Sequence, residues 1–150
     1  MLGTPIAAGL GLPTSVFFGI FSAALLLGAV AGPYVGTLID RHGGRGVLTL
    51  SNLMLACGLA LLGLAQGVVG LIAAWIVLGI GMSMGLYDAA FATLTRLYGR
   101  EARAAITGIT LIAGFASTIG WPLSALLLHE GGWRITCLVW AGLNVMVAAR

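Results

Sequence analysis

The sequence predicts an all-α fold: a polytopic transmembrane helix bundle of about five spans, in one domain covering residues 1–150. Three observations lead there. Apolar residues make up 60% of the chain and charged residues only 7%, with a mean hydropathy of +1.11. Soluble domains carry about 25% charged residues, because a folded surface must face water. Seven Arg, four acidic residues and no Lys cannot cover such a surface here. The apolar runs also approach the ~20 residues needed to cross a bilayer core as a helix, and short charged or glycine-bearing turns separate them.

The first span covers 14–39 and stops at Asp40-Arg41-His42-Gly43-Gly44-Arg45. The second covers 47–64. An uncharged turn at Gln66-Gly67 leads to the third, 69–94, after which come Arg96, Arg100 and Arg103. The fourth covers 104–127 and ends in His129-Glu130-Gly131-Gly132-Trp133-Arg134; the fifth, 135–149, is short. The domain therefore reads as truncated at both ends.

Charge sets the orientation. Arg41, Arg45, Arg96, Arg100, Arg103 and Arg150 fall on one side of the membrane, and Arg134 alone falls on the other. Positive charge concentrates in cytoplasmic loops. Loops 40–46 and 95–103 are thus expected in the cytoplasm, and residues 1–13 and 128–134 outside. The net charge of +3 is a topology signal, and no nucleic-acid partner is expected. Cys57 and Cys137 lie in apolar runs without metal-ligand spacing and read as small core residues. No Ser/His/Asp set, carboxylate pair or phosphate-cradling loop is visible, so the chain does not read as an enzyme.

The first cytoplasmic loop, Gly36-x-x-x-Asp40-Arg41-x-Gly43-Gly44-Arg45, resembles the signature loop of the major facilitator superfamily, which joins the second and third helices of those transporters. Gly79 to Leu94 resembles the family's fourth helix. Gly114 to Pro122, followed by Gly132-Trp133-Arg134, resembles its fifth helix and the turn beyond. The resemblance covers nearly the whole chain and makes the five spans helices two to six of an N-terminal six-helix half. It departs from the family pattern at three places. Gly44 stands where a basic residue is common, the fourth helix lacks its usual Arg, and Trp121 separates Gly120 from Pro122. The family implies secondary active transport of a small solute by alternating access. Its partners would be membrane lipid, the solute, and the missing first helix and C-terminal half. The location implied is a bacterial cytoplasmic (inner) membrane. No cofactor is expected beyond a coupling ion, for which a proton stands first. The alternative is a complete small membrane protein acting as a scaffold or assembly subunit.

Three groups of residues are candidates for function. Gly36, Asp40, Arg41, Gly43, Arg45 and Asp88 form the expected cytoplasmic gate. Asp40 closes a helix C-terminus, where the helix dipole prefers a cation, so its carboxylate needs another partner. Asp88 is the one acidic residue inside a span, where a charge is expensive. It is read as one member of a charge relay with Arg41 or Arg45 and Asp40; a proton-carrying site and a helix-end anchor are the other readings. Gly28, Gly32 and Gly36 recur every fourth residue, a spacing that lets helix backbones approach. With Gly85, Gly120 and Pro122 they are the packing positions. The functional reading of the α-helical glycine stripe is a sliding contact between transporter halves, against ordinary tight packing. Trp75, Met82, Thr110 and Ser117 are candidate cavity-lining residues. Pro33 and Pro122, which lack an N–H, are expected to bend their helices.

Overall fold

The computed structural model describes residues 2–42, 44–85, 91, 94, 95, 98, 99 and 102–149, with the backbone alone at 40, 42 and 45. Five helices make up most of what is described: α1 (Gly3–Gly9), α2 (Thr14–His42), α3 (Gly44–Leu64), α4 (Val68–Gly85) and α5 (Ala102–Ala148). No strand occurs among the described residues. The helices α2 to α5 are all long and apolar enough to cross a membrane. A bilayer forces this choice, because a helix satisfies its backbone N–H and C=O groups within itself.

The expected spans 14–39 and 47–64 lie inside α2 and α3, and α4 covers 69–85 of the expected span 69–94. Both prolines sit inside helices: α2 is helical on either side of Pro33, and α5 on either side of Pro122. Two features differ from the sequence expectation. First, residues 3–9, for which no element was expected, form a short helix, and Ile6 and Ala7 on it are buried. Leu2, Ile6 and Leu10 recur every fourth position, which gives this single segment an apolar face. It is far too short to show in a search for membrane-length runs.

Second, the turn expected at 128–134 shrinks to one residue. The backbone is helical from Ala102 to Ala148 except at Gly132, with φ 72° and ψ 176°. A positive φ is tolerated at glycine because there is no Cβ to clash. The chain reverses there: the indole N–H of Trp140 donates to Ser124 Oγ at 3.1 Å. In a straight helix those two residues would stand about 24 Å apart at 1.5 Å per residue. The two limbs of α5 are therefore antiparallel, and Gly132 lies midway between the touching residues.

Packing follows a simple order. Helix α3 touches α4 and α5, while α4 also touches α2. Helix α4 can lie between two neighbours because it presents a glycine to each. Gly79 and Gly81 are about 200° apart around the helix axis. A Cβ at Gly79 would sit 2.5 Å from the Ala24 carbonyl oxygen of α2, and one at Gly81 would sit 3.2 Å from the Leu55 nitrogen of α3. Lipid is as apolar as a side chain, so close backbone approach and interhelical hydrogen bonds hold such bundles.

Two apolar clusters mark the ends of the bundle. Ile6, Phe17, Leu62, Leu71, Ala74, Leu78 and Cys137 gather α1, the start of α2, the end of α3, the start of α4 and the second limb of α5. Val35, Ile39, Val47 and Met84 gather the opposite ends of α2, α3 and α4. Arg41 closes α2 at the second end, and Arg103, a full limb away from Gly132, starts α5 on that same side. Arg134 lies at the first end.

Candidate functional site

The gate expected around Asp40 sits at the end held by the second cluster. Val35 and Ile39 are buried on α2 one and two turns ahead of its terminus, against Val47 of α3 and Met84 of α4. These contacts fix the ends of three helices around the signature loop. Arg41 is exposed. Gly43 and Asp88 lie outside the described residues, as do the side chains of Asp40 and Arg45. The charge relay expected among them is therefore not part of the described geometry.

The glycine stripe of α2 divides into two parts. Gly28 lies against α4, where an added Cβ would stand 3.0 Å from the Gly79 carbonyl oxygen. Around Gly32 and Gly36 an added Cβ would meet nothing within 4 Å among the described residues. One turn of the stripe is thus a contact within the chain, and the next two are an open groove running toward the Asp40 end.

Between α3 and α4 the contact is polar as well as close. Ser51 is 1% exposed and donates its hydroxyl to the Gly81 carbonyl oxygen at 2.8 Å. Gly85 presses on the same hydroxyl: an added Cβ there would collide with Ser51 Oγ. Ser51 satisfies its own donor while leaving room only for glycine opposite. Gly120, by contrast, would meet only Trp140 of the other limb at 3.8 Å, an ordinary contact, and Pro122 is exposed.

The four candidate cavity residues part company. Trp75 and Met82 line an open pocket of about 400 Å³ whose other lining residues come from α1, α2, α3, α4 and the second limb of α5. Thr110 and Ser117 lie on the exposed first limb, where each hydroxyl bonds a carbonyl of its own helix, Ile106 at 2.8 Å and Gly114 at 2.7 Å. In the pocket, Trp75 meets Phe21 and Phe17 edge to face, with ring centroids 4.8 and 5.8 Å apart.

One residue with a definite role escapes the sequence reading. Arg134, counted there only as the exception to the charge bias, donates from Nη1 to the Gly63 carbonyl at 3.0 Å and from Nη2 to the Ala65 carbonyl at 3.1 Å. These carbonyls close α3, where the last C=O groups lack helical partners and the dipole favours a cation. The guanidinium also lies 4.6 Å from the Trp133 ring centroid, a cation–π contact. Trp133 in turn abuts Gly9 of α1. A lone Arg on the side otherwise cleared of positive charge, next to an indole, was the signal available.

Fold and site together define a polytopic helical membrane protein. The family model of the Major Facilitator Superfamily matches residues 1–149, and the chain belongs to that family. It is therefore an integral membrane protein of the transporter kind; members of this family are transporters, not enzymes. No solved structure matches the chain.

Proposed function

We propose that the chain works in secondary active transport of a small solute by alternating access, as helices two to six of an N-terminal half. The observation that carries this reading is the family match across 1–149. The stretch of α2 at Gly32 and Gly36 supports it: no described residue lies within 4 Å of a Cβ added there, and it leads to the signature loop. A first helix and a second, C-terminal half would complete the transporter, and the half would slide along that groove. Asp40, Arg41, Arg45 and Asp88 would latch the cytoplasmic side in one state, with a proton as the coupling ion. The solute would sit near the midplane between the halves, where transporters built from repeats place it. A bacterial inner membrane fits the arginine bias of the loops.

Cysteine accessibility tests the reading. Gly36→Cys, in a background with Cys57→Ser and Cys137→Ser, is labelled in the complete transporter with a membrane-impermeant maleimide. The labelling rate should change several-fold when a proton gradient is imposed. A rate indifferent to the gradient and to every solute transported would sink the sliding groove. Transport by Asp88→Asn at the wild-type rate across pH would remove Asp88 from both the latch and the proton path.

A further inference from the structure

The open pocket has a direction, and α1 points along it. Its lining begins with Leu2, Gly3 and Ile6 of α1 and reaches Met82 of α4 and Asn144 of α5. Asn144 follows the reversal at Gly132 by 12 residues, about 18 Å along its limb at 1.5 Å per residue. In a hydrocarbon core about 30 Å thick, the pocket thus runs from the Arg134 end to mid-depth. Gly9 abuts Trp133, beside that reversal, whereas a Cβ added at Gly3 would stand 2.9 Å from the Phe17 ring and 3.4 Å from that of Phe18. Helix α1 ends in a built stop. Gly11, with φ 67°, donates its N–H to the Ala8 carbonyl at 3.1 Å, and Leu12 donates to that of Ala7 at 2.9 Å. These are the two bonds of a Schellman turn, and Pro13 follows. The chain doubles back there, so the N-terminal end of α1 lies beside α2 and borders the pocket.

The walls beyond that end continue the surface that buries α1. Phe17, Leu62 and Cys137 cluster with Ile6 and also line the pocket. Past them come Phe21 of α2, Leu55 and Leu59 of α3, and Met82 of α4, all apolar. Two sets of polar groups want a neighbour there. Leu2 already has helical φ and ψ of −75° and −23°, and no side chain caps the helix. The N–H groups of Gly3 and Thr4 meet no acceptor among the described residues, and lipid at that depth has none to give. Deeper in, the Asn144 amide donates to the Trp140 carbonyl at 2.9 Å, while its oxygen meets no donor among the described residues. An acyl chain satisfies neither set. A preceding turn of helix supplies the carbonyls, and a polar side chain on it supplies the donor.

We infer that the pocket seats an apolar helix continuous with α1, which passes Met82 and Asn144 and gives the Asn144 oxygen a donor. The inference rests on the transport reading for its occupant, the first helix, and adds the seat: within the half, against α2, α4 and the second limb of α5. Counted back from Gly9 beside Trp133 at equal rise, the level of Asn144 falls about three residues ahead of Met1.

The test uses the complete transporter with Cys57→Ser and Cys137→Ser. Asn144→Cys is combined in turn with a single cysteine at each position of the two helical turns ahead of Met1. Copper phenanthroline closes the disulfides, and mass spectrometry of the linked peptides measures their yield. The yield should peak about three positions ahead of Met1 and fall about fivefold half a turn to either side. Met82→Cys on α4 is a second anchor and replaces Asn144→Cys if that variant does not fold. No disulfide from either anchor, in a protein that still transports, would mean that lipid or another segment fills the pocket and would overturn the seat. Equal yields at every position would mark an unseated strand and overturn it as well. The expected pattern in a protein that transports no solute would uphold the seat and remove the transport reading.

Discussion

Two glycine runs of the same character end up in opposite circumstances. On α4, Gly79, Gly81 and Gly85 are each pressed by a neighbouring helix, through the Ala24 carbonyl, the Leu55 nitrogen and the Ser51 hydroxyl. On α2, no described residue lies within 4 Å of a Cβ added at Gly32 or Gly36. Gly28 belongs to the first kind although it shares the spacing of the second. Spacing thus makes a groove on a helix, and only a neighbour turns the groove into a contact. Room at the Cβ positions of Gly32 and Gly36 among the described residues is what the proposed sliding groove requires.

The same substitution should separate the two runs. Gly79→Ala places a methyl against the Ala24 backbone, which cannot move without shifting α2. Overpacking of this kind costs about 1–3 kcal/mol, and the upper part of that range is expected as a lowered midpoint in thermal melts of the protein in mild detergent. Gly28→Ala meets the Gly79 oxygen from the other side at 3.0 Å, a contact a small adjustment can absorb, so a loss of about 1 kcal/mol is expected.

Gly85→Ala should destabilise only while Ser51 keeps its hydroxyl. Removing that hydroxyl costs little by itself, about 0.6 kcal/mol for an average hydrogen bond between membrane helices. The double variant with Ser51→Ala should therefore lose less than the sum of the two single losses, a coupling that a double-mutant cycle measures. Strict additivity would show that Gly85 is not limited by Ser51.

Gly36→Ala should have the smallest effect on this chain, and of opposite sign. With nothing among the described residues within 4 Å the methyl has room, and Ala favours a helix over Gly by about 1 kcal/mol in water. The melt should stay level or rise slightly, while transport by the complete protein falls. A melt that drops as far as that of Gly79→Ala would erase the comparison.

Much of the architecture was legible because a bilayer leaves few options. Apolar length located α2, α3 and the described part of α4, and arginine placement sorted the ends, with Arg41 and Arg103 opposite Arg134. Three things were hidden, each for a physical reason. Helix α1 is too short for a hydropathy reading, and its burial depends on Phe17 and Cys137, which come from other parts of the chain. The tight reversal at Gly132 depends on backbone geometry, which a Gly-Gly pair permits without specifying. Which glycines are pressed depends on the partner helix, as Gly28 and Gly32 demonstrate. Among the candidate site residues, Trp75 and Met82 share a pocket. Thr110 and Ser117 lie away from it because their helix limb packs little against this chain.

Arg134 has a bearing on how the protein is assembled. Its acceptors, Gly63 and Ala65, precede it by 71 and 69 residues, so they are synthesised and threaded into the bilayer well before the guanidinium arrives. Until then α3 ends in carbonyls without their cation, and α1 lacks the indole that rests on Gly9. The second limb of α5 therefore delivers the fastener for helices already in place, and the Arg134 end of the bundle is sewn shut from the C-terminal side.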